Sequence, residues 1–314
     1  MSIYQIVWCF CIYACFGWCV EVAFAAFKER RFINRGFLNG PLCPIYGFGV
    51  VAVVTLLQDY KDDFLLLYLM SVVVATALEW VTGFLLEKLF HHRWWDYSDM
   101  PMNIQGYVCV PFSIAWGAAC VFVVKLVHPA IFKMINWIPP LVGHILLGIL
   151  LAVMAVDLCV TVNEILKLNR ELKKMQEITE ELQRLSVYLG ENISKNVLLS
   201  MEKQEYVKEK VDDVKERVEE KADDLKELVE GKTDDIRERV EEKADDIKEL
   251  VEEKTDDMKE KIEDMKEKYQ KLFEKTSLGN RRILKAFPKM KSREYGKQLQ
   301  DLKNFFEKKK TGEK

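Results

Sequence analysis

The chain lacks the signatures of phosphate and nucleophile chemistry. No GxxxxGK[ST] loop exists: Gly231-Lys-Thr233 has Lys226 where the partner glycine should stand. No GxSxG, HExxH or kinase set is present. No CxxC or Cys/His zinc spacing occurs either. Of only four histidines, His91 and His92 are adjacent, and one helix cannot aim both at the same ion. No catalytic residue, metal or cofactor is therefore expected, and the chain does not read as an enzyme. A cleavable leader is not expected: the opening has no basic n-region, its apolar run is too long, and no small-residue cleavage site follows. A disulfide framework is not expected, because all eight cysteines lie in the apolar half, most inside apolar runs where thiols behave as small hydrophobes.

What is present is a divided chain. Residues 1–165 carry 9 Lys/Arg and 11 Asp/Glu, residues 166–275 carry 25 and 34, and residues 276–314 carry 12 and 4. The overall net charge of −3 hides an acidic middle and a basic end. The first part holds five apolar runs: Ile3 to Phe27, about Ile45 to Leu57, Phe64 to Leu86, about Tyr107 to Val127 and about Leu141 to Thr161. A run near 20 residues matches a hydrocarbon core of ~30 Å, and only a helix satisfies its own backbone there. The second run is short, and Pro41, Pro44 and the glycines around them predict an irregular start.

Basic residues set the orientation. The first loop, Lys28–Arg35, carries four, the third has Lys88 and Arg93, and the tail begins with Lys167, Arg170, Lys173 and Lys174. The loop at 59–63 has one. The expected topology is a multi-pass cell-membrane protein of about five spans, N-terminus outside and C-terminal arm in the cytoplasm. Three acids interrupt the runs: Glu21, Glu79 and Asp157. Each lies roughly 10–15 Å from a cytoplasmic helix end. A carboxylate in such a helix costs roughly 2.5–3.5 kcal/mol on insertion scales and usually faces protein or a wet cavity. Two readings stay open: each acid reaches the interface or stays protonated, or the three line a polar cavity.

Two loops are too specific in composition to be plain connectors. One is Arg35-Gly-Phe-Leu-Asn-Gly-Pro-Leu-Cys-Pro-Ile-Tyr-Gly-Phe-Gly49, containing Gly40, Pro41, Pro44 and Tyr46. The other is His91-His-Arg-Trp-Trp-Asp-Tyr-Ser98 followed by Pro101-Met-Asn-Ile-Gln-Gly-Tyr107, containing Arg93, Trp95, Asp96, Tyr97 and Asn103. The aromatics also fit an interfacial belt, Gly106 and Gly117 fit close helix packing, and Asp96 fits a cap of the Ser98–Asn103 turn or a partner of Arg93. Phe-Gly-Trp-x-x-Glu at 16–21, Gly-Pro-x-x-Pro-Ile-Tyr-Gly, Glu79-x-x-Thr-Gly83, Trp-Asp-Tyr-Ser with Asn103, and Trp116-Gly117 occur in order. Together they resemble the type IV ABC-transporter permease family of bacteria, the CmpB-like membrane proteins, over about residues 1–165. The resemblance implies a multi-span membrane component, found largely in Gram-positive bacteria, with no established substrate. Any ATP hydrolysis would come from a separate ATP-binding subunit. The alternative is a non-transporting, membrane-anchored scaffold or interaction protein.

Four segments are expected: a transmembrane domain at 1–165, a helical stem at 166–209, a repeat helix at 210–275 and a basic tail at 276–314. Leucines and other apolar residues from Ile165 to Leu185 keep coiled-coil spacing, and Gly190-Glu-Asn192 is expected to interrupt the stem. From Lys210 an 11-residue repeat begins, KVDDVKERVEE and its variants, whose apolar stripe runs almost straight. The arm is expected to form a homo-oligomer or pack on a partner helix, to stand alone in water, or to lie on the membrane. For the basic tail, docking on anionic lipid or on the acidic arm is open, and nucleic acid is not expected because no binding motif supports it. The fold class is all-α: a polytopic membrane helix bundle followed by a long helical arm with 11-residue repeats.

Overall fold

The computed structural model describes residues 1–219 and 253–311. Two compact units emerge: Met1–Lys173 with Lys275–Lys314, and Lys174–Glu274. The architecture is all-α and polytopic. Among the described residues, four helical stretches are long and apolar enough to cross a membrane: Ile3–Glu29, Phe64–Phe90, Val110–Trp137 and Pro140–Leu199.

In the first unit, α1 (Ile3–Glu29) starts with a capping box, in which Ser2 and Gln5 satisfy each other's backbone N–H groups. Helix α2 (Pro44–Leu56) begins at a proline whose missing N–H would be unpaired there in any case. Its 13 residues span about 20 Å, less than a full crossing. The Gly/Pro-rich stretch before it stays non-helical. Asp63 caps α3 (Phe64–Phe90) by accepting from the Leu66 N–H. Helix α4 (Val110–Phe122) passes through a wide, π-type turn at Val123–Val127 into α5 (His128–Trp137). Pro129 accounts for the widening, since its ring would clash with the carbonyl four residues earlier. The fourth apolar helix thus continues past Val127, where its hydropathy pattern fades. Helix α6 (Pro140–Glu219) runs through Gly190-Glu-Asn192 without a break. A single interior glycine costs only about 1 kcal/mol relative to alanine, which a long helix tolerates.

The helix ends sort into two sets. Gln5 Nε2 donates to Asn136 Oδ1 at 2.8 Å, and the Tyr4 ring lies 4.7 Å from His144. These contacts gather the starts of α1 and α6 with the end of α5. Leu57, Leu67 and Val121 share a buried cluster near that end. At the opposite end, Asn39 meets Asp157, and Asn169 Nδ2 donates to the Phe90 carbonyl at 3.1 Å. The first loop, the loop after α3 and the basic start of the tail meet there, which makes it the basic end of the unit. Gly17 makes the α1–α2 approach possible: a Cβ at that position would stand 2.3 Å from the Tyr46 ring.

The C-terminal segment of this unit is folded. Ser277 caps α8 (Leu278–Ala286), strand β4 (Lys291–Ser292) follows, and α9 (Gly296–Thr311) ends it. Ile283, Leu284, Ala286, Met290, Leu299 and Leu302 are buried. Strand β4 pairs antiparallel with β1 (His92–Arg93), matching His92 to Ser292 and Arg93 to Lys291. A second small ladder joins β2 (Asn103–Ile104) to β3 (Val108–Cys109).

The second unit contains the continuation of α6 from residue 174 and helix α7, residues 253–274. Ion pairs at helical spacing line α7, such as Lys261 to Asp257 at 2.7 Å and Lys268 to Asp264 at 2.6 Å. Half of the expected 11-residue repeat falls at residues 220–252 and lies outside the described residues.

Candidate functional site

Two of the three intramembrane acids each accept from a tyrosine, and the two tyrosines pack one turn apart on α4. Because Gly17 lets Tyr46 lie on α1, the Tyr46 hydroxyl donates to Glu21 Oε1 at 2.6 Å. Arg35 Nε stands 3.5 Å from Glu21 Oε2, an ion pair without a well-aligned hydrogen bond. The Arg35 guanidinium also sits 5.6 Å from the Phe24 ring. From α3, Glu79 accepts from the Tyr97 hydroxyl at 3.3 Å. Glu79 Oε2 is buried and has no hydrogen-bond partner. Burial, and then the Glu79 carboxylate to which it donates, push the Tyr97 phenol up from its ordinary value. Tyr46 also packs on Trp116 at 5.6 Å, and Tyr97 stacks on Phe112 at 5.0 Å.

Asp157 is placed differently. Its Oδ1 accepts from the Asn39 backbone N–H and side-chain amide, both at 3.0 Å, and its Oδ2 accepts from the Gly40 N–H at 2.6 Å. Thr161 adds a longer contact of 3.4 Å and also accepts from the Asn39 amide. The carboxylate is saturated with donors and fastens the first loop to α6. Further along that loop, Pro41 sits in the tight turn in which the Leu42 N–H donates to the Gly40 carbonyl. The Cys43 N–H then reaches back to the Ala14 carbonyl at 2.9 Å, just before Pro44 starts α2. Trp18 Nε1 donates to Asn34 Oδ1 at 2.7 Å, which braces the loop from α1.

The second loop is a network around Arg93 and Asp96. Arg93 Nε donates to Glu87 at 2.9 Å, and its Nη1 lies 3.5 Å from Asp96. Tyr107 donates to the same Glu87 oxygen at 2.9 Å, with Arg93 over its ring at 4.8 Å. Trp95 Nε1 donates to the Tyr107 carbonyl at 2.8 Å. Asn103 bridges the Met100 carbonyl and the Gly106 N–H. Gly106 is required here: its φ is +72°, and a Cβ would come within 2.8 Å of Ser98, Asp96 and Arg93 atoms. Burial alone would raise Asp96, but hydrogen bonds from Lys291 and Ser98 hold its carboxyl well below the usual carboxylate range. Lys291 Nζ stands 2.6 Å from Asp96 Oδ2, the oxygen that Ser98 leaves free.

The structure thus sets a Glu21–Arg35–Tyr46 group beside a Glu79–Tyr97 pair, both tyrosines packed on α4, and together these form a polar cluster. Gly40 joins Asp157 in a loop anchor, and Arg93, Trp95, Asp96 and Asn103 form a second network at the basic end. Among the described residues, no group of three His, Cys, Asp or Glu could hold a metal ion. Sequence reasoning did not single out Asn39 and Thr161 as partners of Asp157, or Glu87 as the hub under Arg93. Polar side chains near helix ends look alike in sequence whether they meet water or one another. It also did not anticipate Arg282 and Lys291 as contacts of the loops, and no local pattern marks them.

Residues 8–162 match the model of the family described as "Putative ABC-transporter type IV", and the membrane half of the chain belongs to that family. Neither a curated protein nor a solved structure matches the chain.

Proposed function

We propose that this member of the type IV ABC-transporter family is a permease-like integral membrane subunit working through the Glu21–Tyr46–Tyr97–Glu79 cluster. The family match supports the transporter class. The observation that carries the site is Glu79 Oε2, a buried carboxylate oxygen without a partner inside an apolar helix. A carboxyl group at that depth is costly, and a purely structural one would have its acceptors filled, as those of Asp157 are. The cluster offers oxygens and aromatic faces, so it suits a ligand that donates hydrogen bonds. ATP is hydrolysed by a separate subunit, because this sequence carries no phosphate loop. The basic end faces the cytoplasm by the positive-inside rule, with the N-terminus outside.

The test is purification of the full chain from its host membrane with mild crosslinking. An ATP-binding subunit should co-purify, and Glu79→Gln should reduce the ATPase activity of that complex while leaving its assembly intact. Cysteines placed at Lys61 and Ser277 should label from outside and inside, respectively. A second reading, a non-transporting membrane scaffold, draws on the 80 residues of α6, far more than one crossing needs. It is favoured if no such subunit is recovered and both Glu21→Gln and Glu79→Gln complement a deletion fully.

A further inference from the structure

The basic loops of the membrane unit carry an occupant of their own. Arg282, at the middle of α8, spreads its guanidinium over three successive carbonyls: Nη1 donates to Gly36 at 3.0 Å and Leu38 at 3.1 Å, and Nη2 donates to Phe37 at 3.1 Å. This is the loop that holds Arg35 at one end and the Asp157-bound Asn39-Gly40 at the other. Beside it, the Phe37 ring packs on Trp94 at 5.2 Å, and Trp94 packs on Phe287 at 4.8 Å. Strand β4 adds to the edge of β1, and Lys291 fills the remaining acceptor of Asp96. Glu164 accepts from Ser277, the α8 cap, and His91 meets Glu294 at 3.2 Å. A fanned guanidinium, an added strand, an aromatic wedge and a complementary ion pair are the elements of peptide recognition.

The interface is also incompletely satisfied. Both ring nitrogens of His92, which is fully buried, lack a hydrogen bond of good geometry, as do Asn169 Oδ1, Asn280 Oδ1 and Arg282 Nε. Each unmade bond opposes docking, since water would satisfy the group on release. Polar, imperfectly paired contacts between folded pieces are the exchangeable kind. The C-terminal segment is joined to the membrane part through residues 174–274, so it can leave its seat and remain attached.

We infer that the basic end is a docking site for a basic helix–strand segment, that residues 276–311 are its reversible occupant within the same chain, and that their docking controls the first loop and hence the Glu21–Arg35 end of the polar cluster. This goes beyond the permease reading and does not depend on it. When Arg282 leaves, the Gly36–Leu38 carbonyls lose that partner, and the stretch between Arg35 and the Asp157-bound Asn39 loses its three backbone-carbonyl contacts with α8. Cys43 reports the change. Its thiol is buried, and its backbone N–H ties the end of the same loop to the Ala14 carbonyl.

The experiment uses the full chain in detergent, with cysteine alkylation resolved by residue through mass spectrometry. A His91→Cys/Glu294→Cys pair, oxidised mildly, should form a disulfide within one chain and lock the segment in place. Alkylation of Cys43 should then be at least tenfold slower in the oxidised protein than in the same protein reduced. Lys291→Glu, at an exposed position unable to disturb a core, should speed Cys43 alkylation at least threefold, while buried Cys9 and Cys11 stay slow. A disulfide that forms between two chains would overturn docking within one chain. Equal Cys43 rates in the oxidised, reduced and Lys291→Glu proteins would overturn the control of the loop.

Discussion

Asp157 and Glu79 each interrupt an apolar run, Leu141–Thr161 and Phe64–Leu86 respectively, yet their surroundings are opposite. Asp157 accepts from three donors on Asn39 and Gly40, and every one of them belongs to the loop it fastens. Glu79 accepts from one phenol and keeps one oxygen buried and bare. The cost of putting a carboxylate in an apolar helix is similar for both, so the difference lies in what offsets it. At Asp157 the hydrogen bonds of a folded loop do. At Glu79 little in the protein does, which is the condition expected of a group kept for a ligand. Glu21 stands between them, with the Tyr46 and Arg35 side chains as partners.

This ordering can be broken by substitution. Asp157→Ala should cost the most, because it strands the Asn39 and Gly40 N–H groups. At about 1–3 kcal/mol for each orphaned donor, the loss should reach roughly 3–5 kcal/mol, read as thermal stability in detergent. A loss below about 1 kcal/mol would place the loop's anchor elsewhere. Glu21→Ala should fall in the middle, about 1–2 kcal/mol, since it leaves the Tyr46 hydroxyl and Arg35 without their carboxylate. Glu21→Gln should recover most of that loss, because an amide oxygen can still accept from Tyr46. A loss as large as that of Asp157→Ala would make Glu21 an anchor too.

A smaller effect should appear with pH at the seat of the C-terminal segment. Burial, partly offset by Asn169, holds His92 down to about 4, against an ordinary value near 6.5. Between those values a released His92 takes up a proton that the docked one does not. The docked form is therefore at full strength above about pH 6.5 and loses stability as pH falls toward 4. Asp96 acts in the same direction, but only once its ordinary carboxylate range is reached. The melting temperature should drop between pH 7 and pH 5, and His92→Gln should flatten that drop. An unchanged slope in the variant would remove His92 from the effect.

The same comparison explains what could be read in the sequence. The apolar runs are long and need no tertiary information, so four long helices and the short α2 are legible, as is the presence of Glu21 and Glu79. Which acid would be saturated was not, because saturation depends on the Asn39-Gly40 backbone arriving 117 or 118 residues away along the chain. The continuation of the fourth helix past Val127 was hidden by Lys125 and Pro129, which resemble a loop until the wide turn accommodates them. The seat of the C-terminal segment was hidden most completely. Arg282 and the carbonyls it binds lie 244 to 246 positions apart, and carbonyls carry no sequence signature at all. Composition marked the segment only as basic, which suits anionic lipid or an acidic helix equally well.

The most direct test of the central claim is a side-by-side measurement of melting temperature for Asp157→Asn and Glu79→Gln in the full chain, both nearly isosteric. Asn keeps one acceptor oxygen where three donors need two, so Asp157→Asn should lose roughly 2 kcal/mol. That corresponds to a fall of about 4–8 °C for a protein of this size class. Glu79→Gln keeps the oxygen that Tyr97 uses and relieves a bare buried carboxylate, so its melting temperature should stay level or rise. A fall in Glu79→Gln equal to or larger than that in Asp157→Asn would contradict the account.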